Sequence, residues 1–172
     1  MLKKIISGGQ PGVEIAALDA ALKLDIPHGG WAYKRVREGS GVYPEQYNLK
    51  IIDVPSYHTR LEKNILDSDG TVILTHGQLI IGSKIIRDLA NKHQRPCLNV
   101  DLTSCTMNHA VSSIRKWTTD KDIETVYFTG SKPVGESNIY EATIRIIEDI
   151  CRVESEQQTL PGFKEKGDGA PS

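Results

Sequence analysis

The fold of this chain is decided first by residues 2–12, which read LKKIISGGQPG. A short apolar and β-branched run ends there in a pair of glycines, and Val13, Ala17 and Leu24 then follow at helical spacing. This order predicts a strand, a tight turn and a helix. Because the strand is short and continuously apolar, we expect it to be buried on both faces, as the strands of a parallel sheet are.

The same order of strand, glycine-bearing turn and helix recurs along the chain. Strands are predicted at 71–75, 96–100 and 125–129, and helices after them near 81–90, 107–117 and 139–150. A helix is predicted over 57–66, and residues 25–57 are interpreted as a long functional loop with one short strand near 49–54. The alternation predicts an α/β, three-layer Rossmann-like fold with a mostly parallel sheet flanked by helices. Right-handed crossovers place the strand-to-helix turns at one edge of that sheet.

Composition and length favour one ordinary globular domain. The chain has 172 residues, is 38% hydrophobic and 25% charged, and has a net charge of −1. No basic run suits a nucleic acid, and the N-terminus lacks the apolar stretch of a signal peptide or membrane span. We therefore expect a cytoplasmic protein without nucleic-acid or membrane partners, which could form a homo-oligomer. A ligand-binding domain is predicted at 1–152 and a flexible tail at 153–172.

Cysteines and histidines give little sign of a metal site. Cys97, Cys105 and Cys151 form no CxxC pair, so we expect three free thiols in a reducing compartment. The five histidines show no metal-ligand spacing, and no metal ligands are predicted. The acidic residues at 67–69 resemble part of a calcium loop, but the required glutamate is missing, and the end of a helix is the preferred interpretation.

Three turns are candidate phosphate sites, at residues 7–12, 77–83 and 130–138. The N-terminus of a helix offers unpaired amides and a partial positive charge to an anion, and glycine allows a close approach. We place the amides of Gly9 and Gly12 at the crevice, and we expect Gly9→Asp to abolish binding of a phosphorylated ligand in a folded protein. The alternatives stay open: the first turn could be only a corner, and Ser83 could be only an N-cap.

Side chains near these turns complete the candidate site. The loop after Trp31 carries Lys34, Arg35 and Arg37, which could neutralise phosphate while Trp31 or Tyr33 stacks on a ring. An arginine-carboxylate pair involving Arg60 could orient a substrate, or could be a surface salt bridge. The predicted ligand-binding residues are Gly8, Gly9, Gln10, Gly12, Trp31, Lys34, Arg37, Thr75, His76, Gly77, Gly82, Ser83, Gly130, Lys132 and Ser137. No catalytic residue is predicted.

Several ordered motifs lie at 5–10, 29–31, Pro44 with Tyr47 and Leu49, Asn64 with 67–71, and 136–137 before 139–140. Together they resemble one known family, the molybdenum carrier family, which is related to the LOG-like, or lysine-decarboxylase-like, Rossmann folds. The resemblance covers about residues 4–150. It implies a Rossmann-like fold and binding of the molybdenum cofactor (molybdopterin), a phosphate-bearing pterin. A nucleotide is the other ligand we consider.

The chain departs from the family pattern at places that matter for the ligand. The family usually has Thr followed by Gly-Val-Asp-Arg where residues 11–15 read PGVEI, and Gly-Gly-Thr where residues 81–83 read IGS. LOG relatives are nucleotide phosphoribohydrolases with a Pro-Gly-Gly-x-Gly-Thr-x-x-Glu run. The corresponding residues 75–88 contain no glutamate. The sequence therefore favours a carrier over a LOG-like N-glycosidase, which remains the alternative.

Overall fold

The structure, a computed structural model, describes residues 1–34, 43–53, 56–77, 81–132 and 138–158. These residues form six strands, five α-helices and one 3₁₀ turn at Glu45–Tyr47. The strands are β1 (Lys4–Ile6), β2 (His28–Tyr33), β3 (Leu49–Ile52), β4 (Gly70–Thr75), β5 (Cys97–Asp101) and β6 (Thr125–Gly130). The helices are α1 (Val13–Lys23), α2 (Tyr57–Leu66), α3 (Ile81–Lys92), α4 (Met107–Asp120) and α5 (Ile139–Gln158).

All six strands lie parallel in one sheet, in the order β3-β2-β1-β6-β4-β5. The chain moves outward from β1 to β3, crosses to β4 and β5, and returns with β6 to the centre. The chain thus adds strands on one side of β1 first and on the other side afterwards, so the strand order reverses direction between β1 and β4. Ligands of open α/β sheets bind at such a point, beyond the carboxyl ends of the strands.

Helices cover both faces of the sheet, as the alternation of strands and helices predicts. Helices α1, α4 and α5 pack on one face, where Phe128 and Ile146 belong to the larger apolar core. Helices α2 and α3 pack on the other, where Leu61 and Leu89 meet Ile73. The expected three-layer Rossmann-like fold is confirmed.

The prediction of one long loop over 25–57 is wrong, because β2 and the 3₁₀ turn lie within it. The strand β2 is hard to recognise in the sequence, since its six residues read HGGWAY and include two glycines. These glycines allow close packing. A Cβ atom on Gly30, at φ +140°, would lie 1.9 Å from the Ser7 carbonyl oxygen, and one on Gly29 would lie 3.1 Å from that of Asn48.

The ends of the chain add two observations. Helix α5 continues to Gln158, past the predicted domain boundary at residue 152, and residues 159–172 lie outside the described part. Cys97, Cys105 and Cys151 are not joined in disulfide bonds, as expected. Within the described residues, no helix combines the length and the apolar character needed to cross a membrane.

Candidate functional site

A crevice of about 450 Å³ opens at the carboxyl edge of the sheet, where β1, β4 and β6 end. It brings together residues from the turns after these strands and from α1, α2 and α3. Its lining residues are Gln10, Pro11, Glu14, Tyr33, Tyr57, Arg60, His76, Gly82, Ser83, Ile86, Thr129, Gly130, Ser131 and Lys132.

A buried carboxylate, that of Glu14 in the first turn of α1, forms part of this lining. Its Oε1 accepts hydrogen bonds from the hydroxyls of Tyr127 (2.8 Å) and Thr129 (2.9 Å). Its Oε2 accepts the backbone N–H of Gln10 at 3.0 Å. Burial, and then the nearby Glu14 carboxylate, raise the pKa of Tyr127 well above its ordinary value. The phenol therefore remains a donor to Glu14.

Arg60 of α2 supplies the opposite charge. Its Nη1 lies 2.9 Å from Glu14 Oε2 and 3.2 Å from Oε1, and both side chains are almost wholly buried. Burial alone would lower the pKa of Arg60, but the Glu14 carboxylate overcomes this and raises it. The two charges are thus held as a fixed ion pair that joins the helical layers around the end of the sheet.

The first glycine turn makes room for this pair. A Cβ atom on Gly8 would lie only 1.7 Å from Nη1 of Arg60 and 2.7 Å from Oε2 of Glu14. One on Gly9, at φ +72°, would lie 2.9 Å from side-chain atoms of Leu49 and Tyr43. Protein side chains therefore occupy the space next to both glycines.

Two tyrosines flank the guanidinium of Arg60. The ring centroids of Tyr33 and Tyr57 lie 5.1 Å and 5.7 Å from its Cζ atom, within the range of a cation-π contact. Tyr57 is 43% exposed, and its hydroxyl reaches towards α3, 3.0 Å from where a Cβ atom on Gly82 would lie. Tyr33, Tyr57 and Arg60 together are called the aromatic wall below.

The regions around the second and third turns contribute small polar groups to the same crevice. Ser83 is buried near the start of α3, Gly130 ends β6, and Ser131 and Lys132 follow this strand. The Ser131 hydroxyl lies 3.4 Å from the backbone N–H of His76, which donates to it, so the turns after β4 and β6 are connected. This side of the crevice offers hydroxyls and a lysine to an anionic group.

The predicted ligand-binding residues divide into three groups. Gln10, His76, Gly82, Ser83, Gly130 and Lys132 line the crevice. The residues Gly8, Gly9, Gly12, Trp31, Lys34, Thr75 and Gly77 do not line it. Arg37 and Ser137, with the neighbouring Arg35, lie outside the described residues.

Trp31 is engaged elsewhere. Its indole N–H donates to Asp67 Oδ2 at 2.8 Å, and the ammonium groups of Lys63 and Lys50 lie 4.2 Å and 5.0 Å from its ring. Gly77 donates its backbone N–H to Asp101 at 2.9 Å. The side chain of Tyr33, which the sequence suggested as an alternative to Trp31, is the one that reaches the crevice.

Arg60 pairs with a carboxylate of another helix, not with one of its own helix. Glu62 pairs with His93 at 2.6 Å and with Lys92 at 3.1 Å, whereas Arg60 pairs with Glu14. The interpretation of Arg60 as a member of a surface salt bridge is therefore wrong, because its pair with Glu14 is buried. Sequence reasoning missed Glu14 as a site residue, although its position in the first turn of α1, where the family usually has Asp, is a signal that could have identified it.

Two further observations bear on the chemistry. Among the described residues, no group of three or more His, Cys, Asp or Glu side chains could hold a metal ion. A larger groove of about 740 Å³ is lined mainly by residues of α4 and α5. Its Glu148 pairs with Lys23 and its Asp149 with Arg152, so we take the crevice at the strand ends as the candidate site.

Comparison with known proteins agrees with this architecture. The model of the circularly permutated YpsA SLOG family matches residues 5–151. A crystal structure from Syntrophus aciditrophicus SB, described as a "Putative molybdenum carrier protein", shares 40% sequence identity with a TM-score of 0.79. The alignment covers 87% of this chain and 94% of that one. No curated protein matches the chain significantly. The resemblance to a molybdenum carrier family of LOG-like fold is confirmed.

Proposed function

Because the chain belongs to the circularly permutated YpsA SLOG family, we propose that it is a carrier that holds a phosphate-bearing small molecule in the crevice without cleaving it. The molybdenum cofactor and a nucleotide are the two ligands under consideration. The molybdenum connection rests on the description of the 40% identical protein from Syntrophus aciditrophicus SB. The crevice itself supports the binding of an anion.

The observation that carries the proposal is the charge balance of the lining. Glu14 and Arg60 neutralise each other, so Lys132 leaves the described lining with a net positive charge when His76 is neutral. This lysine lies in the same turn as Ser131, and Ser83 of α3 lines the same crevice. A phosphate group bound there would meet a cation and hydroxyl donors, which are the groups that phosphate accepts from most strongly.

The lining is unsuited to a bare metal cation, because it offers hydroxyls, amides and cationic groups instead of free carboxylate ligands. Glu14 is the one acidic residue among the described lining residues, and its oxygens already accept hydrogen bonds from four residues. A molybdenum species would therefore be held through the phosphate and ring of an organic carrier, as cargo rather than as a resident metal.

The saturation of Glu14 also favours binding over hydrolysis. A general base must be able to take a proton from a water or a substrate. Glu14 is 3% exposed and is surrounded by donors, so its carboxylate stabilises Arg60 rather than activating water. We expect the protein to leave the glycosidic bond of AMP or GMP intact.

Native mass spectrometry of the freshly purified protein tests the proposal, and the expected result is a copurified phosphorylated molecule. Titration calorimetry with ribose 5-phosphate then tests whether the phosphate group binds at Lys132. We expect Lys132→Ala to weaken binding about tenfold, while Lys121→Ala, an exposed lysine at the end of α4, leaves it unchanged. Ribose 5-phosphate that does not bind, or that binds equally to Lys132→Ala, would overturn the proposed site.

A further inference from the structure

The aromatic wall contains two buried donors that the fold leaves unused. Nε of Arg60 and the hydroxyl of Tyr33 have no hydrogen-bond partner of good geometry among the described residues, although the Tyr33 hydroxyl lies close to the guanidinium, and both atoms are shielded from water. An unpaired buried donor costs stability, so a native structure keeps one only where something compensates. Both side chains line the crevice.

The guanidinium of Arg60 is held in a defined orientation. Its Nη1 is committed to both oxygens of Glu14, and the absence of a side chain at Gly8 allows it to lie against the backbone. Tyr33 and Tyr57 contact it as rings. The Nε–H group of Arg60 is therefore a donor of fixed position that lacks an acceptor of good geometry among the described residues.

The exposed ring of Tyr57 gives this wall a stacking surface. It reaches from α2 to Gly82 on α3, so this part of the aromatic wall lies beside the start of α3, which carries Ser83. Pro11 and Ile86 add apolar surface to the same crevice. A flat apolar ring could bury its face here while a phosphate attached to it reaches the Ser83 and Lys132 side.

We propose that the aromatic wall recognises a planar nitrogen heterocycle that carries a ring carbonyl, as guanine and pterins do. The heterocycle stacks on Tyr57, and its carbonyl oxygen accepts hydrogen bonds from Arg60 Nε and the Tyr33 hydroxyl. A carbonyl oxygen has two lone pairs and can satisfy both donors, whereas the exocyclic amino group of adenine presents further donors. This inference rests on the proposed function, because it assumes that the ligand occupies the crevice.

Titration calorimetry on the full chain with four probes tests it: GMP, AMP, ribose 5-phosphate and free pterin. We expect GMP to bind about tenfold more tightly than AMP or ribose 5-phosphate, because only GMP both stacks and supplies the acceptor. Tyr33→Phe should reduce the preference for GMP over AMP, because only the Arg60 Nε–H then remains to donate to the carbonyl. Tyr57→Leu should weaken GMP binding about tenfold and leave ribose 5-phosphate unchanged.

Tyr140→Phe is the matched control, because it also removes a phenol hydroxyl but one that donates to Asp19 outside the crevice. It should retain the preference for GMP. The Tyr33 variant should fold, since the hydroxyl it loses has no partner of good geometry to give up among the described residues. Competition between pterin and GMP would show that both rings use the wall, and pterin binding without GMP binding would assign the wall to pterins.

The two proposals fail in different ways. If ribose 5-phosphate binds while GMP and AMP bind no more tightly and free pterin does not bind, the aromatic wall is not a ring site and the anion site stands. An unchanged ratio of GMP to AMP affinity in Tyr33→Phe overturns the role of its hydroxyl. If none of the four probes binds, both the proposed function and the ring site are overturned.

Discussion

At the scale of single residues, the glycines of the first turn are needed because side chains of the protein itself pack against them. The Cβ position of Gly8 is taken by the Arg60–Glu14 ion pair, and that of Gly9 by Leu49 and Tyr43. Any effect of Gly9→Asp on ligand binding would therefore come together with a clash and with the strain of a side chain at φ +72°. If Gly9→Asp loses ligand binding, its stability must be measured in parallel before the loss is assigned to the site.

The Arg60–Glu14 pair gives the sharpest prediction at this scale. Arg60→Leu should destabilise the protein by about 3–5 kcal/mol, because it leaves a buried carboxylate without its cation. Urea unfolding followed by circular dichroism measures this change. Lys3→Ala breaks a surface pair, with Glu124, whose side chains are 61% and 46% exposed, and should cost about 1 kcal/mol or less.

A double variant measures the interaction between Glu14 and Arg60 apart from their other contacts. Glu14→Leu combined with Arg60→Leu should lose less stability than the sum of the two single variants, since no unpaired charge remains. If Arg60→Leu cost no more than Lys3→Ala, the ion pair would not be the fixed element described above.

At the scale of elements, α2 links the fold to the crevice, because it carries both Tyr57 and Arg60. Ser56 caps this helix, its hydroxyl accepting the backbone N–H of Thr59 at 3.2 Å. Thr106 caps α4 in the same way, accepting the N–H of His109 at 3.2 Å. The two caps are alike in geometry, but only α2 contributes to the lining of the crevice.

These caps form a matched pair of substitutions. Ser56→Ala and Thr106→Ala should each cost about 1 kcal/mol of stability, measured by urea unfolding. Only Ser56→Ala should also weaken GMP binding in titration calorimetry, because fraying of the first turn of α2 displaces Tyr57. Equal affinity in the two variants would show that the start of α2 does not position the ring site.

At the scale of the whole molecule, several described groups with raised pKa values together determine how the free energy of unfolding depends on alkaline pH. Burial raises the pKa of Cys97 from 9.0 to about 11, and the hydrogen bond to Asp19 raises that of Tyr140 from 10.0 to about 12. Burial also raises the pKa of Tyr57 and of Tyr127. The native state therefore holds these protons more tightly than the unfolded chain does.

The free energy of unfolding should consequently fall as the pH rises above about 9. The stabilisation from each group is complete below its unfolded pKa and is lost as the pH rises through its folded pKa. Urea unfolding at pH 8, 10 and 12 measures the decline, and Tyr140→Phe should flatten it between pH 10 and 12. A slope identical to that of the unsubstituted protein in this range would contradict the assignment to Tyr140.

The sequence by itself determined the fold class and most elements, because short apolar strands alternating with amphipathic helices leave few arrangements other than a covered parallel sheet. Helix α2 was predicted with the bounds that the structure shows. The sequence also placed His76, Ser83 and Lys132 near the strand ends, since turns that follow parallel strands meet at one edge. Strand β2 was not predicted from the sequence, because its glycines allow close backbone packing, and such packing leaves no periodic pattern of apolar residues.

Only the tertiary structure decided how the crevice is built. Glu14 and Arg60 lie on helices of opposite layers, Tyr127 comes from the central strand, and Tyr33 ends β2, so no local spacing joins them. Their meeting depends on the strand order, which places β6 beside β1 and brings α1 and α2 together at the sheet edge. A buried ion pair needs a partner from a distant part of the chain to offset its desolvation, and the identity of that partner is a property of the packed fold.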